Sequence, residues 1–215
     1  MKVNKQCITR LARYRNALYR LKSLGFVRVF SDNIADAVGV TSSQVRKDFS
    51  IFGITGQKRG GYKIADLIAQ IGSVLGRDQM HRAIVVGVGN IGNALISYPG
   101  FLKENIKIVA AFDIDPSRQS QKSDIPVLPL DKISSYIKEE KIKIAIIATP
   151  DIAAQQVLDI MVSAGIRGVL NFAPIRLKAD SKVVVSNVNL GLELETLIYF
   201  VKIFKEEEGY EEDNA

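Results

Sequence analysis

Arg82-Ala83-Ile84-Val85-Val86-Gly87-Val88-Gly89-Asn90-Ile91-Gly92 decides the fold. Its first part is a short, β-branched apolar run, as expected of a strand buried on both faces, and it leads into G-x-G-x-x-G. The pattern predicts a strand, a tight turn and a helix over Ile91–Tyr98 that Pro99-Gly100 ends. Gly87 permits the turn, Gly89 lets backbone approach a pyrophosphate, Gly92 allows close helix packing, and the helix start faces the anion. Ile106-Lys107-Ile108-Val109-Ala110-Ala111-Phe112 predicts a second strand ending in Asp113, 21 residues after Gly92. An acid at that spacing accepts hydrogen bonds from adenine-side ribose hydroxyls and repels a 2′-phosphate, so NADH and NAD+ are favoured as cofactors. Nearby Arg118 leaves NADP(H) open.

The alternation continues downstream with a helix around Leu130–Glu140, a strand Ile142–Ala148, a helix Ile152–Ala164, and strands Gly168–Phe172 and Val183–Val188. This is the order of an α/β, Rossmann-like parallel sheet. Loops at the strands' carboxyl ends, Ala148-Thr149-Pro150 and Asn171-Phe172-Ala173-Pro174, would border the ligand crevice, although any one of these residues also suits a plain tight connection. The candidate cofactor-binding residues are therefore Gly87, Val88, Gly89, Asn90, Ile91, Gly92, Asp113, Thr149, Pro150, Asn171 and Phe172.

Upstream the texture changes. Residues 1–82 hold fifteen basic and five acidic residues, a balance of +10, whereas the remaining fourteen basic and eighteen acidic residues give −4. Ile8, Leu11, Tyr14, Leu18 and Leu21 predict an amphipathic helix from Ile8 to about Leu24 with Arg10, Arg13, Arg15 and Arg20 on its outer face. After the β-like run Phe26–Phe30, Ser31 is expected to cap a second helix, Asn33–Val38. Thr41-Ser42-Ser43-Gln44 fits a capping box that opens a third helix running to Gly53. Two short helices so joined read as a helix-turn-helix, whose second member would lead with Ser42, Ser43, Gln44, Arg46 and Lys47 into a DNA major groove. The Gly-punctuated hairpin from Ile54 to Tyr62 reads as a wing with Lys58 and Arg59 at its tip, and a helix Ile64–Leu75 closes the unit. The bland alternative for each piece is a solvated basic face.

The helix predicted from Leu190 to about Lys205 is apolar almost all round, so it is expected to insert into a partner subunit as a swapped dimer, with Glu206–Ala215 a mobile charged tail. That division gives a winged-helix DNA-binding domain over 1–78, an NAD(H)-binding domain over 79–189 and a dimerisation helix over 190–205. One cysteine, Cys7, and one histidine, His81, which is placed ahead of the first strand, argue against a disulfide framework and a metal site. The opening residues hold no apolar signal core and no stretch reaches membrane-span length, so the expectation is a cytoplasmic protein without a membrane partner.

At this point the sequence resembles the Rex family of redox-sensing transcriptional repressors. The likeness rests on Gln44-Val45-Arg46-Lys47-Asp48-Phe49-Ser50-Ile51-Phe52-Gly53, on Gly61-Tyr62, on the fingerprint followed by Tyr98-Pro99-Gly100-Phe101, and on Phe112-Asp113-Ile114-Asp115-Pro116. Gly165-Ile166-Arg167-Gly168-Val169-Leu170-Asn171-Phe172-Ala173-Pro174 and the last helix complete it. The resemblance implies a homodimer that binds palindromic operator DNA when NADH is low and dissociates when NADH binds. It implies that Tyr98 sits near the nicotinamide and that Asn16 and Asn189 stand where relatives carry an inter-subunit arginine–aspartate latch, while Arg10, on the basic face of the first helix, is counted with the DNA-facing residues.

The competing reading is an NAD-dependent dehydrogenase with Tyr98 as its acid; a CoA-binding module is a second. Hydride transfer to a carbonyl usually requires a proton donor and a substrate domain, and residues 1–78 already read as a winged helix, which favours a non-enzyme.

Overall fold

Leu11, Tyr14 and Leu18 share one buried side of α1 (Lys5–Ser23), whose first turn is capped by the Asn4 side chain accepting from Gln6 N at 2.9 Å. The structure, a computed structural model, describes residues 4–57, 60–119 and 125–212, with side chains of the last helix described as far as Phe204. The chain divides into two compact units, Met1–Met80 and His81–Ala215. In the first, α1 is followed by β1 (Arg28–Val29), α2 (Ser31–Val38), α3 (Ser42–Ile51), β2 (Tyr62–Lys63) and α4 (Ile64–Val74). β1 and β2 pair antiparallel, with Val29 opposite Tyr62, and a bridge between Gln57 and Gly61 continues the hairpin. Phe49 of α3 is the keystone: buried, it meets the rings of Tyr14 and Tyr62 edge-on at 5.8 and 5.3 Å.

One local expectation fails here. Ser31 is the first residue of α2 and not its cap; Phe30 takes the cap position, and its N–H donates to Asn33 Oδ1 at 2.8 Å. A side chain one turn into the helix thus supplies the acceptor that Ser31, already helical, cannot. The wing-tip cations Lys58 and Arg59 lie outside the described residues.

The second unit runs β3 (His81–Val86), α5 (Asn90–Ile96), α6 (Gly100–Lys103), β4 (Ile106–Asp113), α7 (Pro116–Gln119) and β5 (Val127–Pro129). A 3₁₀ turn (Leu130–Lys132), α8 (Ile133–Glu139), β6 (Ile144–Ile147), α9 (Asp151–Ala164), β7 (Gly168–Asn171), β8 (Val184–Asn187) and α10 (Leu190–Glu212) complete it. All six strands are parallel in the order β5-β4-β3-β6-β7-β8, the doubly wound 3-2-1-4-5-6 arrangement. Along β3, Ile84 and Val86 bury on one side of the sheet, and Ala83 and Val85 on the other. Helices cover both sides, which is why the strand is a continuous apolar run without alternation.

Three features were not legible. β5 is only three residues long, too short to show a period. His81 opens β3, its N–H bonded to Asn105 O, and so stands at the amino end of the sheet. The last helix continues to Glu212, so residues 206–212 of the expected tail are helical, as Lys205 and the glutamates of that stretch favour. The apolar pattern that suggested the earlier end stops at Phe204.

Candidate functional site

A cleft of about 670 Å³ opens at the carboxyl ends of β3, β4 and β6, where the strand order switches direction. Its floor is the fingerprint turn. Gly87 has φ +93°, and a Cβ there would stand 2.5 Å from Ala148 O, so the turn runs hard against the end of β6. A Cβ on Gly92 would collide with the Gly87 carbonyl oxygen, which makes glycine a condition of α5 reaching this turn at all. Gly89 differs. A Cβ there would meet only Arg118 Nη1, at 3.5 Å, an ordinary contact inside the cleft wall.

Asp113 is buried and works on the turn itself: Oδ2 accepts from Val88 N at 2.6 Å and Oδ1 from Asp115 N at 2.9 Å. Arg118 lies between two carboxylates, 3.5 Å from Asp113 Oδ2 and 3.5 Å from Asp115 Oδ2. The Ser117 hydroxyl and N–H both donate to Asp115, which holds its carboxyl below the usual carboxylate range. Across the cleft, Thr149 Oγ1 is buried with no hydrogen-bond partner among the described residues. A hydroxyl of this kind can both donate and accept, and Thr149 is one of the residues lining the cleft.

Of the residues anticipated at the cofactor, Gly87, Gly89, Asn90, Ile91, Asp113, Thr149, Pro150 and Phe172 line this cleft. Val88, Gly92, Tyr98 and Asn171 are not among its lining residues. Val88 acts through its N–H, and Gly92 through the space it leaves. Asn171 is fully buried as a knot: Nδ2 donates to Ile175 O and Asn187 Oδ1, and Oδ1 accepts from Ala173 N. Tyr98 is exposed, its ring edge-on to Phe101 at 5.1 Å. Asp115, Leu130, Ala153 and Val157 also line the cleft and escaped the sequence reading, whereas Arg118 and Pro174, also in the lining, had been read as neighbours of the crevice. The signal for Asp115 was present in Asp115-Pro116-Ser117, a helix-start pattern directly after Asp113; Ala153 and Val157 needed the packing of α9 to be known.

The second candidate site is the helix-turn-helix. Thr41 Oγ1 accepts from Gln44 N at 3.2 Å, as expected of a cap. The reciprocal half of the capping box is absent, because Gln44 Nε2 donates to Asp48 Oδ1 at 2.8 Å, and a charged acceptor outcompetes a backbone partner. Ser43, Arg46 and Lys47 are exposed at the leading end of α3; Ser42 and Gln44 are half-buried. Beneath them Asp48 is fully buried and accepts from Arg10 Nε at 2.6 Å, Arg10 Nη2 at 2.8 Å, Tyr14 Oη at 2.8 Å and Cys7 Sγ at 3.4 Å. Burial pushes the Asp48 carboxyl up, but the hydrogen bonds from Arg10, Tyr14, Gln44 and Cys7 outweigh it and hold its pKa at about 2. Burial, with Asp48 alongside, raises the Tyr14 phenol and the Cys7 thiol, which keeps the latter a poor nucleophile. Asn16 is exposed, with Oδ1 accepting from Arg15 Nη2; Asn189 caps α10 by accepting from Leu192 N at 3.1 Å.

Comparison with known proteins matches both units. The family described as "CoA binding domain" matches residues 78–175 and that described as "Putative DNA-binding protein N-terminus" matches residues 2–50. A redox-sensing transcriptional repressor Rex from Desulforamulus reducens is 42% identical over 200 residues, covering 93% of this chain and 95% of the relative. The crystal structure of RSP in complex with beta-NAD+ and operator DNA superposes with a TM-score of 0.89 at 33% identity, covering 97% of this chain and 98% of that one. RSP in complex with beta-NADH gives 0.85 at 33% identity, over 96% and 99%. With a parallel nucleotide-type sheet, a helix-turn-helix unit and identity of this extent along almost the whole chain, the protein belongs to the Rex family of redox-sensing transcriptional repressors.

Proposed function

We propose that the cleft of the second unit binds NADH and NAD+, and that α3 of the first unit, with Arg10 and the wing residues Lys58 and Arg59, binds operator DNA that is released as NADH rises. The observation that carries the cofactor reading is the cleft itself: a glycine turn at a strand's carboxyl end, a buried acid beside it and an orphaned Thr149 hydroxyl opposite. The residues fit a dinucleotide. Backbone N–H groups at the start of α5 suit the pyrophosphate and the carboxylates of Asp113 and Asp115 suit ribose hydroxyls, while Thr149 Oγ1 and the apolar wall of Pro150 and Phe172 suit the far end. The cofactor would supply a ring whose charge and planarity change with redox state. The relative RSP has been crystallised with each of these ligands and with operator DNA, which supports carrying all three to this chain.

The proposed division of labour is a DNA-binding domain over 1–78, a sensor over 79–189 and a dimerisation helix from Leu190. In α10, Leu190, Leu192, Leu194, Leu197, Ile198, Tyr199, Phe200, Val201 and Phe204 are each at least half exposed. An apolar surface of that size calls for a partner, and a second copy of the chain, exchanging helices, supplies one and also pairs two recognition helices for a palindrome. In that dimer Tyr98, Asn16 and Asn189 would lie near the switching contacts.

The chain is proposed to regulate without turnover, in the cytoplasm. The curated relatives are named repressors, and the ionisable side chains lining the cleft, Asp113, Asp115 and Arg118, are engaged with one another and the loop. No helix among the described residues is long and apolar enough to cross a membrane. Titrating operator binding against the NADH/NAD+ ratio at fixed salt is the decisive test. Occupancy should fall as the ratio rises; occupancy indifferent to the ratio, or multiple turnover of NADH with a carbonyl panel, would sink the reading.

A further inference from the structure

Asp48 takes no part in any contact expected of the recognition helix, yet it is the most heavily hydrogen-bonded side chain beneath it. It is on the inner side of α3, fully buried, and two of its donors, Arg10 and Gln44, are residues anticipated at DNA. The geometry of each donor is constrained. Arg10 pairs side-on through Nε and Nη2, so its Nη1 occupies the opposite corner of a planar group, and the side chain keeps 23% exposure. A carboxylate can only accept, so the Gln44 amide must give Asp48 its Nε2, leaving its carbonyl oxygen and second N–H uncommitted. One buried anion thus decides which atoms two surface side chains can offer.

We propose that Asp48 is the positioning residue of the DNA interface, fixing Arg10 so that its Nη1 corner donates to the nucleic acid beside α3 and turning Gln44 so that its carbonyl oxygen is the acceptor presented to the groove. The proposal rests on the assignment of α3 to DNA. It differs from a purely structural staple in what it demands of Arg10. A structural staple asks of Arg10 only that α3 stay folded, and a simple positive charge is served equally well by lysine, whereas a planar group held at two corners and used at the third is not. Preorganisation also removes the rotamer freedom that two long side chains would otherwise lose on binding. Sequence-independent attraction to phosphate does not depend on that orientation, so the device should act on specific binding and leave general DNA affinity alone.

The test compares a duplex selected by the wild-type chain from a random palindromic pool with a scrambled duplex of the same composition, by fluorescence anisotropy over a range of salt. Arg10→Lys is the primary variant because the position is partly exposed and charge is retained; Asp48→Asn is the second, with folding of both checked by thermal unfolding. Each should lose about tenfold or more on the selected duplex, the scale of losing an oriented contact, without a matching loss on the scrambled one, to which Asp48→Asn, with one anion fewer, should bind at least as tightly as wild type. The double variant should lose no more than the worse single one, since both break the same arrangement. Wild-type affinity in Arg10→Lys overturns the proposal, and so does an equal loss on both duplexes in folded Asp48→Asn. Failure of the wild-type chain to select any duplex overturns the DNA assignment itself, and is recognisable because no variant is then needed to see it.

Discussion

At the scale of single residues, the glycine fingerprint separates into two jobs that the motif alone presents as one. Gly92 is required by the fold, since a Cβ would strike the Gly87 carbonyl; the fold makes no such demand at Gly89, where a Cβ is sterically tolerated, and the proposed cofactor would make it instead. Gly89→Ala should therefore keep the wild-type unfolding temperature and weaken NADH binding measured by calorimetry, whereas Gly92→Ala should lower the unfolding temperature itself. Equal melting of the two variants would contradict this split. Asp48 yields a second prediction through its charge. Its pKa is depressed from 3.8 to about 2, so the folded state binds fewer protons than the unfolded one in this window. The stabilisation is present above about pH 4 and is lost as pH falls toward 2, amounting to roughly 2 kcal/mol. Denaturant unfolding of wild type and Asp48→Asn between pH 5 and 2.5 should show the wild-type curve falling more steeply, and parallel curves would refute it.

At the scale of elements, α3 shows why a helix can be read from sequence while its contacts cannot. Thr41 as its cap and the apolar pair Val45 and Phe49 are local signals, and the structure places both as expected. The choice of partner by the Gln44 side chain was not wholly local. It depended on Asp48 lying one turn along and on Arg10 and Tyr14 arriving from α1, 38 and 34 residues away in sequence. Arg46 and Lys47, by contrast, are exposed and engaged in no ion pair among the described residues. Arg46→Ala or Lys47→Ala should cost about 1–3 kcal/mol in operator affinity where the side chain reads a base, and less where it meets phosphate. A gel shift identical to wild type for both would remove α3 from the interface.

At the scale of the whole molecule, the charge difference between the two parts of the chain and the bare α10 are the features that bear on assembly. The +10 of residues 1–82 belongs almost entirely to the first compact unit, and the second, which holds the cleft, is mildly acidic, so attraction to DNA is concentrated in the first. α10 exposes apolar side chains all round, which no surface helix of a monomer needs. Ile198→Lys combined with Phe204→Lys should convert a dimer to a monomer in sedimentation and weaken binding to a palindromic duplex more than to a half-site. An unchanged sedimentation coefficient would place the subunit contact elsewhere.

The sequence by itself determined the architecture: the strand, fingerprint, helix, strand and acid of residues 82–113, the α/β alternation after them, and the helix-turn-helix before them. Those signals are periodicity, glycine geometry and caps, which act over a few residues and so are written locally. Only the tertiary structure decided which atoms those residues have left to offer. Asp113 spends both oxygens on loop amides, Asn171 knots a loop, Gln44 turns inward to Asp48 and Thr149 keeps an unpartnered hydroxyl. Each outcome follows from competition among polar groups that folding gathers, some near in sequence and some far apart, where burial rewards the pairing that satisfies the charged group first.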